Sequence, residues 1–155
     1  MSREQLEQIV IDAYGIGGAA KEYFDFFLNP DTEKLLEKME NDIVKELRRV
    51  KWGYCRARVS LIKKAVDKVI SFNTDVVTAI KAYGIALLDM GFADKFAELL
   101  PSHDNLVVRL TGQLISYGNR HNAADLAIRQ VNDIINDDRL GLRYRRLVSD
   151  ALDNC

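Results

Sequence analysis

The chain has 155 residues, of which 48% are hydrophobic and 29% are charged, and its formal net charge at pH 7 is -1. This apolar fraction excludes an intrinsically disordered chain, and the length fits one ordinary globular domain, residues 1–155. No run of 18 consecutive apolar residues is present, and Arg3, Glu4 and Glu7 stand where a secretory leader needs apolar residues, so we expect a cytoplasmic protein with no membrane span.

Helical periodicity runs through almost the whole chain, whereas the alternation typical of strands is nearly absent. Apolar residues recur every three or four positions, as Met39, Ile43 and Leu47 do, and such a stripe faces a core. Glycine and proline residues mark the ends of several segments. The predicted helices cover, in chain order, about residues 2–14, 19–28, 31–51, 56–72, 74–90, a short 93–100, 102–117, 122–135 and a last segment beginning at 137 or 138.

The short connections between these segments favour antiparallel packing of neighbouring helices. No linker rich in Ser, Gly or Pro divides the chain, and no period of 20–50 residues indicates a repeat protein. The sequence therefore predicts an all-α fold, a single domain of about seven long helices plus one short helix in antiparallel hairpins. A closed bundle and a short array of helical pairs both fit this pattern.

Charge is distributed very unevenly along the chain. Residues 45–68 contain nine Lys and Arg but only Glu46 and Asp67, a net charge of +7, whereas residues 1–44 carry a net charge of -6. On a helical wheel, the cations of the third and fourth predicted helices fall opposite the apolar stripes. We therefore expect both basic faces of this predicted helical hairpin to turn outward.

Trp52 and Tyr54 lie in the predicted turn between the two basic helices. Cations interleaved with aromatic side chains are typical of surfaces that contact phosphates and stack on unpaired bases. Against this function, the whole chain is nearly neutral, and its acidic part can balance the basic run within one molecule or in a dimer. The candidate residues for binding a polyanion are Arg48, Arg49, Trp52, Tyr54, Arg56, Arg58, Lys63 and Lys64.

The chain offers few groups for catalysis or metal binding. His103 and His121 stand alone, and a zinc site needs three or four nitrogen or sulfur ligands, so we expect no metal and no cofactor. Cys55 is the best candidate nucleophile, because the neighbouring Arg56 and Arg58 would favour its thiolate. The alternative is an inert thiol in a turn.

Two stretches of the chain resemble a bacterial family of uncharacterised proteins that is known only as a domain of unknown function. One is the aromatic helix of residues 23–30, YFDFFLNP, which ends at an Asn-Pro stop. The other is the basic helix start of residues 56–66, RARVSLIKKAV. The resemblance covers roughly the first 90 residues. It implies an all-helical fold and brings no established activity, so it assigns no catalytic residue.

Because the sequence shows no recognisable set of catalytic or metal-binding residues, it favours a non-catalytic helical module that binds a protein partner or a second copy of itself. The alternative is binding of a polyanion or nucleic acid through the basic hairpin of residues 45–68. A third hypothesis is an enzyme that uses Cys55. No membrane partner is expected.

Overall fold

A computed structural model describes all residues, 1–155, and contains eight helices and one two-stranded sheet, which confirms the predicted all-α class. The strands β1 (Val50–Lys51) and β2 (Tyr54–Cys55) lie between the third and fourth helices. The helices are α1 (Arg3–Ile16), α2 (Gly18–Leu28), α3 (Thr32–Leu47), α4 (Val59–Ser71), α5 (Val76–Asp94), α6 (Pro101–Arg120), α7 (Ala124–Ile135) and α8 (Leu142–Asp153).

The chain divides into two compact units, Met1–Glu33 and Lys34–Cys155. That residues 1–155 form a single domain stays a prediction. The first unit holds α1 and α2, a helical hairpin in which no residue is buried. Its two helices are linked by the Tyr14 hydroxyl, which donates a 2.8 Å hydrogen bond to Asp25. A hairpin of this size is too small to bury its own apolar side chains.

Helix α5 is the centre of the second unit. It packs against α4, α6, α7 and α8, and ten of its 19 residues are buried. Because neighbours surround it, α5 is apolar on nearly all sides rather than along one stripe. By length and mean hydropathy (1.5) alone it would also qualify as a membrane span, but over half of that window is buried among the other helices.

Two glycines allow helices of the second unit to approach closely. A Cβ on Gly91 of α5 would lie 2.7 Å from the ring of Tyr144 on α8. A Cβ on Gly118 of α6 would lie 2.5 Å from the Cβ of Ala127 on α7. Since real Cβ contacts are not this short, larger residues at either position would force the helices apart.

The structure corrects several predicted boundaries. The third helix ends at Leu47 rather than at residue 51, and a small sheet that the sequence analysis did not predict follows it. Strands of two residues are too short for alternation to be visible in the sequence. The predicted short helix over 93–100 is also wrong, because α5 continues to Asp94 and Glu98 then forms a parallel bridge with Tyr54.

Candidate functional site

The basic segment is built around a β-hairpin rather than the predicted helical hairpin. Val50 pairs with Cys55 and Lys51 pairs with Tyr54, so Trp52 and Gly53 form a two-residue turn. Both turn residues have positive φ angles, 54° and 79°, which match the twist that tight hairpins need. Glycine adopts this conformation readily, but a bulky residue such as Trp52 does so rarely.

Two backbone hydrogen bonds fix the hairpin to the segment that follows α5. The N–H of Cys55 donates to the carbonyl of Glu98 at 2.9 Å, and the N–H of Glu98 donates to the carbonyl of Gly53 at 2.8 Å. The side chain of Cys55 is fully buried, so one face of the hairpin packs on the core. The hairpin is therefore held along one edge by the backbone of Glu98 and on one face by the burial of Cys55.

The opposite face of the hairpin points to solvent. Because side chains alternate along a strand, Lys51 and Tyr54 lie on the face opposite to Cys55. The N–H of Arg56 donates to the carbonyl of Arg49 at 2.6 Å, which extends the ladder and adds these two residues to the outward face. At the tip, Trp52 is 81% exposed, and the Lys51 Nζ atom lies 4.6 Å from the centroid of its ring.

The structure thus leaves seven of the eight candidate polyanion-binding residues exposed, and only Lys63 is partly buried. Several of these cations are already paired. Lys63 forms a 2.7 Å ion pair with Asp67 one helical turn away, and Arg58 and Arg49 both contact Glu46. The other candidate cations, Arg48, Arg56 and Lys64, form no ion pair. Because Arg49, Arg58 and Lys63 are paired, the segment has less unpaired positive charge than its sequence indicates.

Glu46 is a buried carboxylate at the centre of this cationic segment. It accepts hydrogen bonds from the backbone N–H of Arg58 at 3.0 Å and from the guanidinium of Arg58 at 2.5 Å, and Arg49 lies 3.4 Å away. The hydrogen bonds from the Arg58 side chain lower the pKa of Glu46 to about 2. Glu46 therefore fixes the end of α3 against the start of α4 on either side of the hairpin.

We expect Glu46→Gln to lower the free energy of unfolding by about 2 kcal/mol at neutral pH, because charge-assisted hydrogen bonds to a buried group are lost. The pKa of Glu46 is lowered in the folded state, so its contribution is present above the unfolded value near 4.5 and is lost as the pH falls toward 2. Urea denaturation across this window measures the effect, with exposed Asp42→Asn as control. A Glu46→Gln penalty of the same size at pH 7 and pH 2 would contradict the expectation.

His103 is a second buried anchor, which the sequence analysis left without a role. Its Nδ1 accepts from the N–H of Leu100 at 2.9 Å, so the hydrogen lies on Nε2, which donates to the carbonyl of Ala57 at 2.9 Å. This bond joins the start of α6 to the residue before Arg58. His103 therefore positions the strand-to-helix connection that carries Arg56 and Arg58.

An apolar groove of about 380 Å³ lies beside the hairpin. Its walls come from the C-terminal parts of α3 and α5, the first strand and the segment after α5. Phe96 is 85% exposed and Val50 is 48% exposed at its edge. The complete lining is Val44, Leu47, Arg48, Val50, Asp89, Phe92, Ala93, Phe96 and Ala97.

Asp89 is the acidic residue in the lining of this groove. Burial raises its pKa to about 7, and the charge and hydrogen bond of the neighbouring Glu40 add to the shift. One of its carboxylate oxygens, Oδ2, is buried without a hydrogen-bond partner. Near neutral pH this carboxyl is therefore partly protonated, and the groove presents more apolar surface than its composition indicates.

The structure does not place Cys55 where a nucleophile needs to be. The side chain of this free cysteine is fully buried, so its sulfur is not accessible to a substrate. Elsewhere in the chain, no group of three or more His, Cys, Asp or Glu side chains lies close enough together to hold a metal ion.

No protein-family model, no curated protein and no solved structure matches the chain. The resemblance of residues 23–30 and 56–66 to a domain of unknown function therefore stays a prediction.

Proposed function

We propose that the protein is a non-catalytic helical module that binds a protein partner on the hairpin and the groove beside it. The observation that carries the proposal is the concentration of exposed apolar side chains here. Phe96 and Val50 stand at the edge of an apolar groove, and Trp52 is two residues further along the hairpin. Exposed aromatic and aliphatic side chains grouped around a concave surface are typical of protein interaction sites.

The anchoring of the hairpin supports the same function. Cys55 is buried in the core, and the backbone of Glu98 is bonded to Gly53 in the turn and to Cys55 in the second strand. Glu46 and His103 hold the connection to α4. A surface that is already ordered loses little conformational entropy when a partner binds. The exposed apolar side chains are thus presented on a fixed frame rather than on a mobile loop.

Site-specific photo-crosslinking tests the proposal. A benzophenone amino acid replaces Phe96 in one variant and Leu142, which is 54% exposed on α8, in the control variant. In cells that produce the protein naturally, we expect a discrete protein adduct from position 96 and none from position 142. Equal labelling from both positions, or no protein adduct from position 96, would contradict the proposal.

A second candidate function, binding of a polyanion such as single-stranded nucleic acid, is favoured by one specific observation. Arg49, Lys51, Tyr54 and Arg56 share the outward face of the hairpin, next to the exposed ring of Trp52. Cations that flank exposed aromatic rings suit stacking of unpaired bases. The ion pairs of Arg49 and Arg58 with Glu46 weaken this candidate, because paired cations release fewer counterions from phosphates.

The fluorescence of Trp52, the single tryptophan of the chain, separates the two candidates. Titration with a single-stranded thymidine oligonucleotide at low salt should leave the emission unchanged if the protein binds a protein partner. Saturable quenching that weakens as salt rises would favour the polyanion. In that case Arg56→Glu should reduce the affinity more than Arg109→Glu, a matched charge reversal at an exposed position on α6.

A further inference from the structure

We infer that the occupant of the groove is an amphipathic helix of a partner protein, with acidic side chains along the edge of its apolar face. This inference rests on the proposed function and names the chemistry of the partner.

The charge around the groove favours an acidic partner. Arg48 is the one cation in the lining of the groove, it is exposed, and it forms no ion pair. The opposing charge in the lining is Asp89, which is partly buried, has an inaccessible Oδ2 and lies beside Glu40. A carboxylate of the partner therefore meets the exposed guanidinium of Arg48, whereas Asp89 is partly buried.

The dimensions of the groove favour a helix over an extended peptide. Val44 on α3 and Arg48 just after its last residue are one turn apart, and Asp89 and Ala93 are one turn apart on α5, so each of these walls is about 6 Å long. This length matches two apolar side chains spaced i, i+4 on a partner helix. An extended partner would instead need a strand edge, and β1 offers only two residues.

The test uses the full chain and two designed peptides of about four helical turns, both without tryptophan and tyrosine. The peptides share one apolar face of leucines, and its flanks are glutamate in one peptide and lysine in the other. Binding is followed by the emission of Trp52. We expect the glutamate peptide to bind at least about tenfold more tightly at low salt, since complementary charge at a rim sets partner choice.

Variants of the chain assign the preference to the groove. Arg48→Glu should remove the preference for the glutamate peptide, whereas the matched reversal Arg109→Glu should leave it unchanged. Phe96→Ala should weaken both peptides by about tenfold, because it removes apolar contact without changing charge. Circular dichroism of each variant confirms that it is folded.

The remaining outcomes separate failure of the inference from failure of the proposed function. Equal affinity for both peptides would overturn the inference of an acidic partner helix and leave the proposed protein-binding function intact. Binding of neither peptide, together with a protein adduct at position 96, would do the same. A concentration-dependent dimer in sedimentation that Phe96→Ala dissociates would assign the groove to a second copy. An oligonucleotide that displaces the glutamate peptide would assign the surface to nucleic acid. Each of these two results would overturn the inference.

Discussion

Replacement of Tyr144 by alanine is expected to lower the free energy of unfolding by about 4 kcal/mol, the largest effect of any substitution considered for this chain. The ring is fully buried and lies in the space that Gly91 leaves open on α5. Its hydroxyl donates a hydrogen bond to the carbonyl of Leu87, which is also on α5. Alanine would leave a cavity between α5 and α8 that the surrounding helices can fill only in part.

Tyr144→Phe is the matched control, because it keeps the ring and removes only the hydroxyl. We expect a loss of about 1 kcal/mol, the usual value of one hydrogen bond to a neutral acceptor. Urea denaturation followed by far-UV circular dichroism measures both variants. An alanine variant no less stable than the phenylalanine variant would show that the contact between α5 and α8 is not central to the core.

The buried apolar positions of α3 could be predicted from the sequence, but those of α5 could not be predicted fully. Met39, Ile43 and Leu47 recur at helical spacing and are all buried, because α3 packs on one side only. In α5 the apolar Val77 is 48% exposed, and several of the buried positions are small residues such as Ala86. A helix surrounded by neighbours has no single stripe, so periodicity cannot identify its contacts.

The candidate site was predictable only where its residues are close in sequence. Trp52 and Tyr54 stand out among neighbouring cations, and the structure leaves both exposed. The groove has no such local signal, because Val50 and Phe96 come from segments more than forty residues apart that only the fold brings together. Glu46 was counted as one opposing charge, and its burial between two arginines follows from the return of the chain through the hairpin.

Substitution of Asp89 by asparagine is expected to stabilise the protein by about 2 kcal/mol at pH 8 and to have little effect below pH 4. Burial raises the pKa of Asp89 from 3.8 to about 7, so the folded state binds this proton more tightly than the unfolded chain does. Stability contributed by the protonated carboxyl is complete below the unfolded pKa and is lost as the pH rises through about 7. Asparagine cannot ionise and therefore avoids this loss.

The raised pKa of Asp89 is tested more sharply by how the stability difference changes with pH than by its value at one pH. The difference between Asp89→Asn and the wild type should grow between pH 4 and pH 8, whereas Asp133→Asn, at an exposed position on α7, should show no such growth. Glu40 must also be considered, because its charge and hydrogen bond contribute to the shift. Glu40→Gln should therefore reduce the stabilising effect of Asp89→Asn. A stability difference that stays flat from pH 4 to pH 8 would mean that Asp89 is already hydrated and ionised in the folded protein.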